Sequence, residues 1–295
     1  MSDASPSTDL FELVGQEARM AILRALLSAR RESDDPHHSF TELKEAAGIE
    51  DTGRFNYHLG RLVGTVVAKT DDGYRLSRYG FRVLAPMTAG LYDPDTTVDG
   101  IELPGTCHEC GGSLRVESEE NSLRVVCRAG HTVNEGIFGH ADVVADQSPE
   151  EAAATLGLVN TQATEPGVSG VCPKCHRRRE GEIEWLDRGD CYVYRAPCDG
   201  CGSRFMATVG SCVATHPTVA CFLADRGVDV RRRVPWTLPF RQAGAETVVS
   251  EDPLRLRVAV GTDVADDPLQ VTVDREGSVV GVDQLAEGAD GPERR

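Results

Sequence analysis

Lysine is nearly missing from this chain. Three occur in 295 residues (Lys44, Lys69 and Lys174), and every other basic residue is an arginine. Aromatic residues are scarce too, at 5%. No stretch approaches the roughly 18 consecutive apolar residues that a membrane-spanning helix needs, which excludes a helical membrane protein and a membrane partner. The opening MSDASPSTDL is acidic and polar, without the basic and apolar regions of a secretory signal. The expectation is a cytoplasmic protein. HExxH, P-loop and GxSxG patterns do not occur, so the chemistries they carry are missing, and an enzyme is not expected.

What the chain does hold is acid. Against 31 basic residues stand 47 acidic ones, a net charge of −16. Excess acid opposes phosphate backbones, so nucleic-acid binding would have to be local. Residues 52–82 carry Arg54, Arg61, Lys69, Arg75, Arg78 and Arg82 against only Asp71 and Asp72. A hydrophobic fraction of 40% allows packed cores, and the length allows two or three small domains.

Apolar residues recur at three- and four-residue spacing over 9–30 and predict a first helix. Ser39 with Glu42 three residues on forms a capping box for a short second helix ending at Gly48. A third helix runs from Thr52 to about Val63, with Phe55, Leu59 and Leu62 as its buried stripe. Asp71-Asp72-Gly73 joins two β-like runs, 65–70 and 73–77, in a hairpin. A helix from about Tyr79 to Leu91 follows, and the loop holding Asp93, Pro94 and Asp95 closes a domain spanning 1–95. Beyond it the chain reads as a metal-binding module over 101–145, a linking helix over 146–167 opened by Ser148 and Pro149 and ending near Val159, and a second module over 168–285. The second module takes in a cysteine-rich β segment to about 212, a helix after Pro217, and β runs 254–260, 269–273 and 278–282. Residues 286–295 read as a disordered tail. The fold class expected is α+β.

Helix, helix, turn, helix, two-stranded wing and helix is the order of a winged helix-turn-helix. With Phe55, Leu59 and Leu62 inward, the third helix presents Thr52, Arg54, Asn56, Tyr57, His58 and Arg61 at its surface or margin. Arginine suits guanine edges and phosphates, and asparagine suits adenine; Tyr57 and His58 can donate to phosphate. Lys69 and Arg75 on the wing would reach the neighbouring backbone. His58 also reads as a half-buried packing residue, and Arg54 and Arg61 as ion-pair partners of Glu50 or Asp51.

The cysteines are paired. Cys107-x2-Cys110 precedes Cys127-x3-His131, and Cys172-x2-Cys175 precedes Cys198-x2-Cys201, with 16 and 22 residues between the pairs. Thiolates two residues apart reach one ion across a tight turn, and a second pair completes a tetrahedron. Two structural Zn2+ per chain are expected, one held by three cysteines and a histidine and the other by four cysteines, zinc being favoured over iron. His131 closes the first set better than His108, which lies inside the knuckle. Disulfides do not suit the cytoplasm or the spacing. Cys212 and Cys221, in apolar surroundings, read as buried packing residues.

The segment SFTELKEAAGIEDTGRFNYHLGRLVGTVVAKTDDGYRLSRYG resembles the ArsR-like winged-helix regulators of haloarchaea, and with the helix before it the likeness covers about 90 residues. Excess acid and scarce lysine likewise resemble proteins of extremely halophilic archaea. CHECGG, CRAGH, SPEE, CPKC, CDGCG and HPTVACFLADRGVDV make residues 101–283 similar to the C-terminal domain attached to such winged helices. The resemblance implies a dimeric transcriptional regulator whose partner is double-stranded DNA. A basal transcription component contacting RNA polymerase is a related reading, because a winged helix plus a zinc ribbon resembles the archaeal factor that assists promoter opening. A zinc-dependent enzyme is a more distant one.

Overall fold

The computed structural model describes residues 6–33, 36–88, 97–119, 122–137 and 142–284. It is a mixed α+β protein with several small antiparallel sheets. Contacts divide it into two units, Met1–Asp93 and Pro94–Arg295. The loop expected around Asp93–Asp95 and the tail 286–295 lie outside the described residues.

The first unit comprises α1 (Pro6–Val14), α2 (Glu17–Glu32), α3 (Phe40–Ala46), α4 (Thr52–Leu62), β1 (Val67–Thr70), β2 (Gly73–Leu76) and α5 (Arg78–Thr88). The single helix expected over 9–30 is two. Gly15 closes α1 by donating to the Phe11 carbonyl at 2.8 Å, and extended Gln16 then separates the helices. Ser39 and Glu42 form the expected reciprocal cap on α3, and Asp51 caps α4 at the Arg54 amide. Ile22, Leu26, Leu43, Phe55, Leu59, Leu62, Val66 and Leu76 meet in one core. Only four residues of each expected β run pair, Thr70 facing Gly73 across the turn. Gly73 has φ +128°, and a Cβ there would overlap the His38 carbonyl; its neighbour Tyr74 donates to that carbonyl at 2.8 Å.

The second unit begins with a four-stranded meander, β3 (Asp99–Thr106), β4 (Ser113–Glu119), β5 (Ser122–Cys127) and β6 (Thr132–Ile137). After α6 (Asp142–Ala145) and α7 (Pro149–Val168) comes a three-stranded meander, β7 (Glu182–Leu186), β8 (Cys191–Pro197) and β9 (Arg204–Thr208). α8 (Val209–Ala214) and α9 (Pro217–Ala224) lead to a last meander, β10 (Glu246–Glu251), β11 (Leu254–Val260), β12 (Leu269–Asp274) and β13 (Val279–Gln284). The inward residues of β11 alternate strictly with less buried ones, as one-sided packing requires.

Two departures from the sequence expectation matter. α7 does not stop near Val159 but continues to Val168, where Gly167 packs against the Phe205 ring. It is more than a link, because Ala152, Ala153 and Leu156 complete the core of the first meander with Leu114, Val125 and Trp236. The segment expected to be β up to about 212 ends in helix α8, every residue of which is buried; an all-buried helix has no polar face to announce its period. The second and third meanders share one core, with Ile183, Ala196, Val213, Phe222, Leu256 and Val271 in contact. Among the described residues, no helix is long and apolar enough to cross a membrane.

Candidate metal centres and an exposed helix face

Three of the four metal-ligand knuckles, those opened by Cys107, Cys172 and Cys198, turn by the same hydrogen bonds. The Cys107 amide donates to the Gly112 carbonyl, and the Gly111 amide donates back to the Cys107 carbonyl, at 2.9 and 2.8 Å. Cys172 repeats this with Arg177 and His176, and Cys198 with Ser203 and Gly202. The turn needs a left-handed residue four places after the first cysteine. Gly111 (φ +70°), Gly202 (φ +73°) and, unusually for a side-chain-bearing residue, His176 (φ +60°) occupy it. The Cys127–His131 knuckle is looser, with Gly130 left-handed and the His131 amide donating to Cys127 Sγ at 3.3 Å.

These turns bring the ligands together as the spacing predicts. Cys107, Cys110, Cys127 and His131 form one set and Cys172, Cys175, Cys198 and Cys201 the other, and within each set the donor atoms lie within 4.8 Å of one another. Neighbouring sulfurs stand 3.7 Å apart for Cys110–Cys127, 3.7 Å for Cys172–Cys201 and 3.5 Å for Cys175–Cys198. A tetrahedral ion with metal–sulfur bonds of about 2.3 Å has edges of about 3.8 Å, whereas a disulfide needs about 2.05 Å. All ten cysteines are free. Two metal-binding sets are therefore in position.

Their electrostatics call for a cation. Burial pushes the Cys172 thiol up, but amide donors at Cys175 and Lys174 and bonds from Cys201 and Cys175 outweigh it and bring the pKa down to about 6. Cys201 accepts from the Ser203 amide, yet burial and the three neighbouring sulfurs push it up to about 12. Cys127 falls to about 7 in the same way, burial being outweighed by donors that include the His131 and Ala129 amides. Four thiolates at this spacing repel one another, so the loss of a proton from one sulfur, as at Cys172, raises another, as at Cys201.

His131, not His108, closes the first set. Its Nδ1 lies 3.6 Å from Cys107 Sγ, while its Nε2 faces the Glu109 carboxylate at 3.5 Å. Glu109 is a neighbour of the ligand histidine that reading by spacing passes over. Its one signal is an acid beside a ligand cysteine, common on any surface.

The DNA-contact candidates are spread unevenly over the first unit. Thr52, Arg54, Asn56, Tyr57 and Arg61 are all exposed on α4, opposite fully buried Phe55 and Leu62. Neither Arg54 nor Arg61 forms an ion pair among the described residues; the Asp51 carboxylate is engaged by the Arg54 amide instead. Thr52 accepts from Lys44 Nζ at 3.1 Å. His58 is half-buried, its Nδ1 enclosed without a partner and its ring edge-on to Tyr57. Burial, then the Arg19 and Arg54 charges, lowers its pKa. Lys69 is exposed over the Tyr74 ring, and Arg75 turns back to donate to the Leu76 carbonyl at 3.2 Å.

Comparison with protein-family models matches residues 104–279 to a domain of unknown function, DUF7351. The match covers more than half of the sequence. The chain belongs to the DUF7351 family. Its DUF7351 stretch holds both ligand sets, and residues 7–87, spanning α1 to α5, match a second domain of unknown function, DUF7347. No curated protein and no solved structure matches the chain. The other three cysteines also fall in the DUF7351 stretch. Cys191 and Cys212 are buried, burial pushing Cys212 up to about 12, but Cys221 is exposed, contrary to the reading of a packing residue.

Proposed function

We propose that the protein is a transcriptional regulator that binds double-stranded DNA as a homodimer through a winged helix-turn-helix, with α4 as recognition helix and β1–β2 as wing. One observation carries this reading: α4 buries Phe55, Leu59 and Leu62 completely while Arg54, Asn56, Tyr57 and Arg61 project from it with no ion-pair partner among the described residues. Arginine and asparagine side chains on an open helix can read guanine and adenine edges in a major groove. In an acidic protein, unpaired cations gathered on one short helix are otherwise costly to explain. His58, half-buried, serves this reading as support for Tyr57 rather than as a phosphate contact. Both cysteine sets hold Zn2+ in a structural role, because four protein ligands of the thiolate and imidazole type suit zinc and leave no position open for substrate.

Promoter fragments bound by the full chain test the first part. Replacing Arg54 and Asn56 together by alanine should lower affinity for the preferred sequence by tenfold or more, on the order of 1–3 kcal/mol per lost base contact, and erase the preference. A double variant that binds with unchanged preference overturns the assignment of α4. Sites scattered at every promoter, with RNA polymerase co-purifying, would instead indicate a basal factor.

A further inference from the structure

Among the described residues four polar or charged side chains are buried, and three of them meet: Thr164 of α7, Ser211 of α8, and Arg241 in the turn after Pro239, at 8%, 6% and 8% exposure. They form the wall shared by two cavities of the second unit, of about 820 and 550 Å3. Thr164 Oγ1 donates to the Asn160 carbonyl at 2.8 Å, and Ser211 Oγ shares a hydrogen bond with Thr208 Oγ1 at 3.0 Å. Arg241 is not matched in this way. Its Nε is enclosed without a partner, and no carboxylate among the described residues pairs with its guanidinium. Burial alone lowers its pKa, to about 10, so at neutral pH the cation persists. Thr161 Oγ1, beside the larger cavity, and Trp236 Nε1, beside the smaller, are also enclosed and unpartnered. A desolvated cation among unmatched donors is unfavourable until an acceptor joins it.

We propose that the larger cavity binds a small apolar monocarboxylate, whose carboxylate accepts from Arg241 and the unpartnered Thr161 hydroxyl and whose hydrocarbon body lies along Ala214, Ala220 and Val228. The volume lies within the range of small-molecule sites, roughly 300–1,000 Å3. Charge favours a single carboxylate over a phosphate dianion. The other basic residue lining the cavity, Arg231, is an exposed side chain paired with Glu165 at 3.2 Å, and Asp229 lines it as well. A second negative charge would meet acid there. The site lies wholly in the second unit and does not depend on the DNA-binding reading.

Calorimetric titration of the zinc-loaded full chain with isovalerate, its neutral amide, and inorganic phosphate tests this. Isovalerate should bind saturably at one site per chain, the amide and phosphate at least about tenfold more weakly, since a charge-assisted bond is lost or mismatched. Arg241→Met should lose that binding while the thermal midpoint holds or rises, because an unpaired buried cation has been replaced by an apolar chain; Arg241→Lys should retain part of it. No saturable binding of isovalerate by the wild type overturns the proposal, as does equal binding by Arg241→Met. Tighter binding of phosphate than of isovalerate overturns the assignment of a monocarboxylate.

Discussion

His131 has two nitrogens with different tasks. With Nδ1 turned to the sulfurs and Nε2 toward Glu109, the carboxylate holds the Nε2–H tautomer and leaves Nδ1 free to donate a lone pair to an ion. Glu109→Ala should lower metal affinity at the first set by about 10–100-fold and leave the second unchanged, as read by competition with a chromophoric chelator. His108→Ala should change neither, because its Nε2 contacts only the outer side of Glu109, at 3.9 Å. The eight ligands were legible one by one, since paired cysteines in this spacing have few other uses. Glu109, Thr164, Ser211 and Arg241 were not. A carboxylate or an arginine is ordinary on a surface; its place beside His131 sets Glu109 apart, burial sets Thr164 and Ser211 apart, and Arg241 combines burial with an unpartnered Nε.

The knuckle turns are short elements whose geometry the backbone dictates. A left-handed residue costs about 1–2 kcal/mol when it carries a Cβ, most for a branched one. Gly202→Val should therefore destabilise the second set by about that amount, seen as a lower thermal midpoint and weaker metal retention. His176→Gly, at the matching position of the partner knuckle, should be close to neutral, because relief of strain is offset by a more flexible unfolded chain. Among the helices, those with a cap or an amphipathic stripe could be read from sequence. Ser39 and Ser148 each accept the amide they were placed to accept; Ser39→Ala should cost about 1 kcal/mol, measurable in denaturant melts. The helix break at Gly15 and the all-buried α8 were illegible for opposite reasons. At Gly15 the apolar spacing runs on undisturbed through the break, and α8 has no spacing to find.

The first unit has a core separate from the two of the second, and among the described residues both metal-ligand sets lie in the second. Residues 1–93 expressed alone should fold with the same helix content whether or not a chelator is present, as circular dichroism would record; a chelator-sensitive fragment would contradict this. The full chain should carry two zinc ions, and Cys198→Ser should leave about one, by elemental analysis. Because the second and third meanders share a core that includes Ile183 and Ala196, that loss should also loosen the strands of 254–284, visible as faster amide exchange there.

The chain's own order of residues determined what is local: helix caps, the turn at Gly73, the alternation of β11, and which cysteines act together. Each depends on neighbours a few positions apart or on a spacing few alternatives share. Tertiary packing alone decided that α7 runs on to Val168 and serves two cores, and that Glu109 backs His131. It also decided that Arg241, nearly 80 residues from Thr164, lies beside it with no counter-charge, a juxtaposition that no short-range pattern encodes.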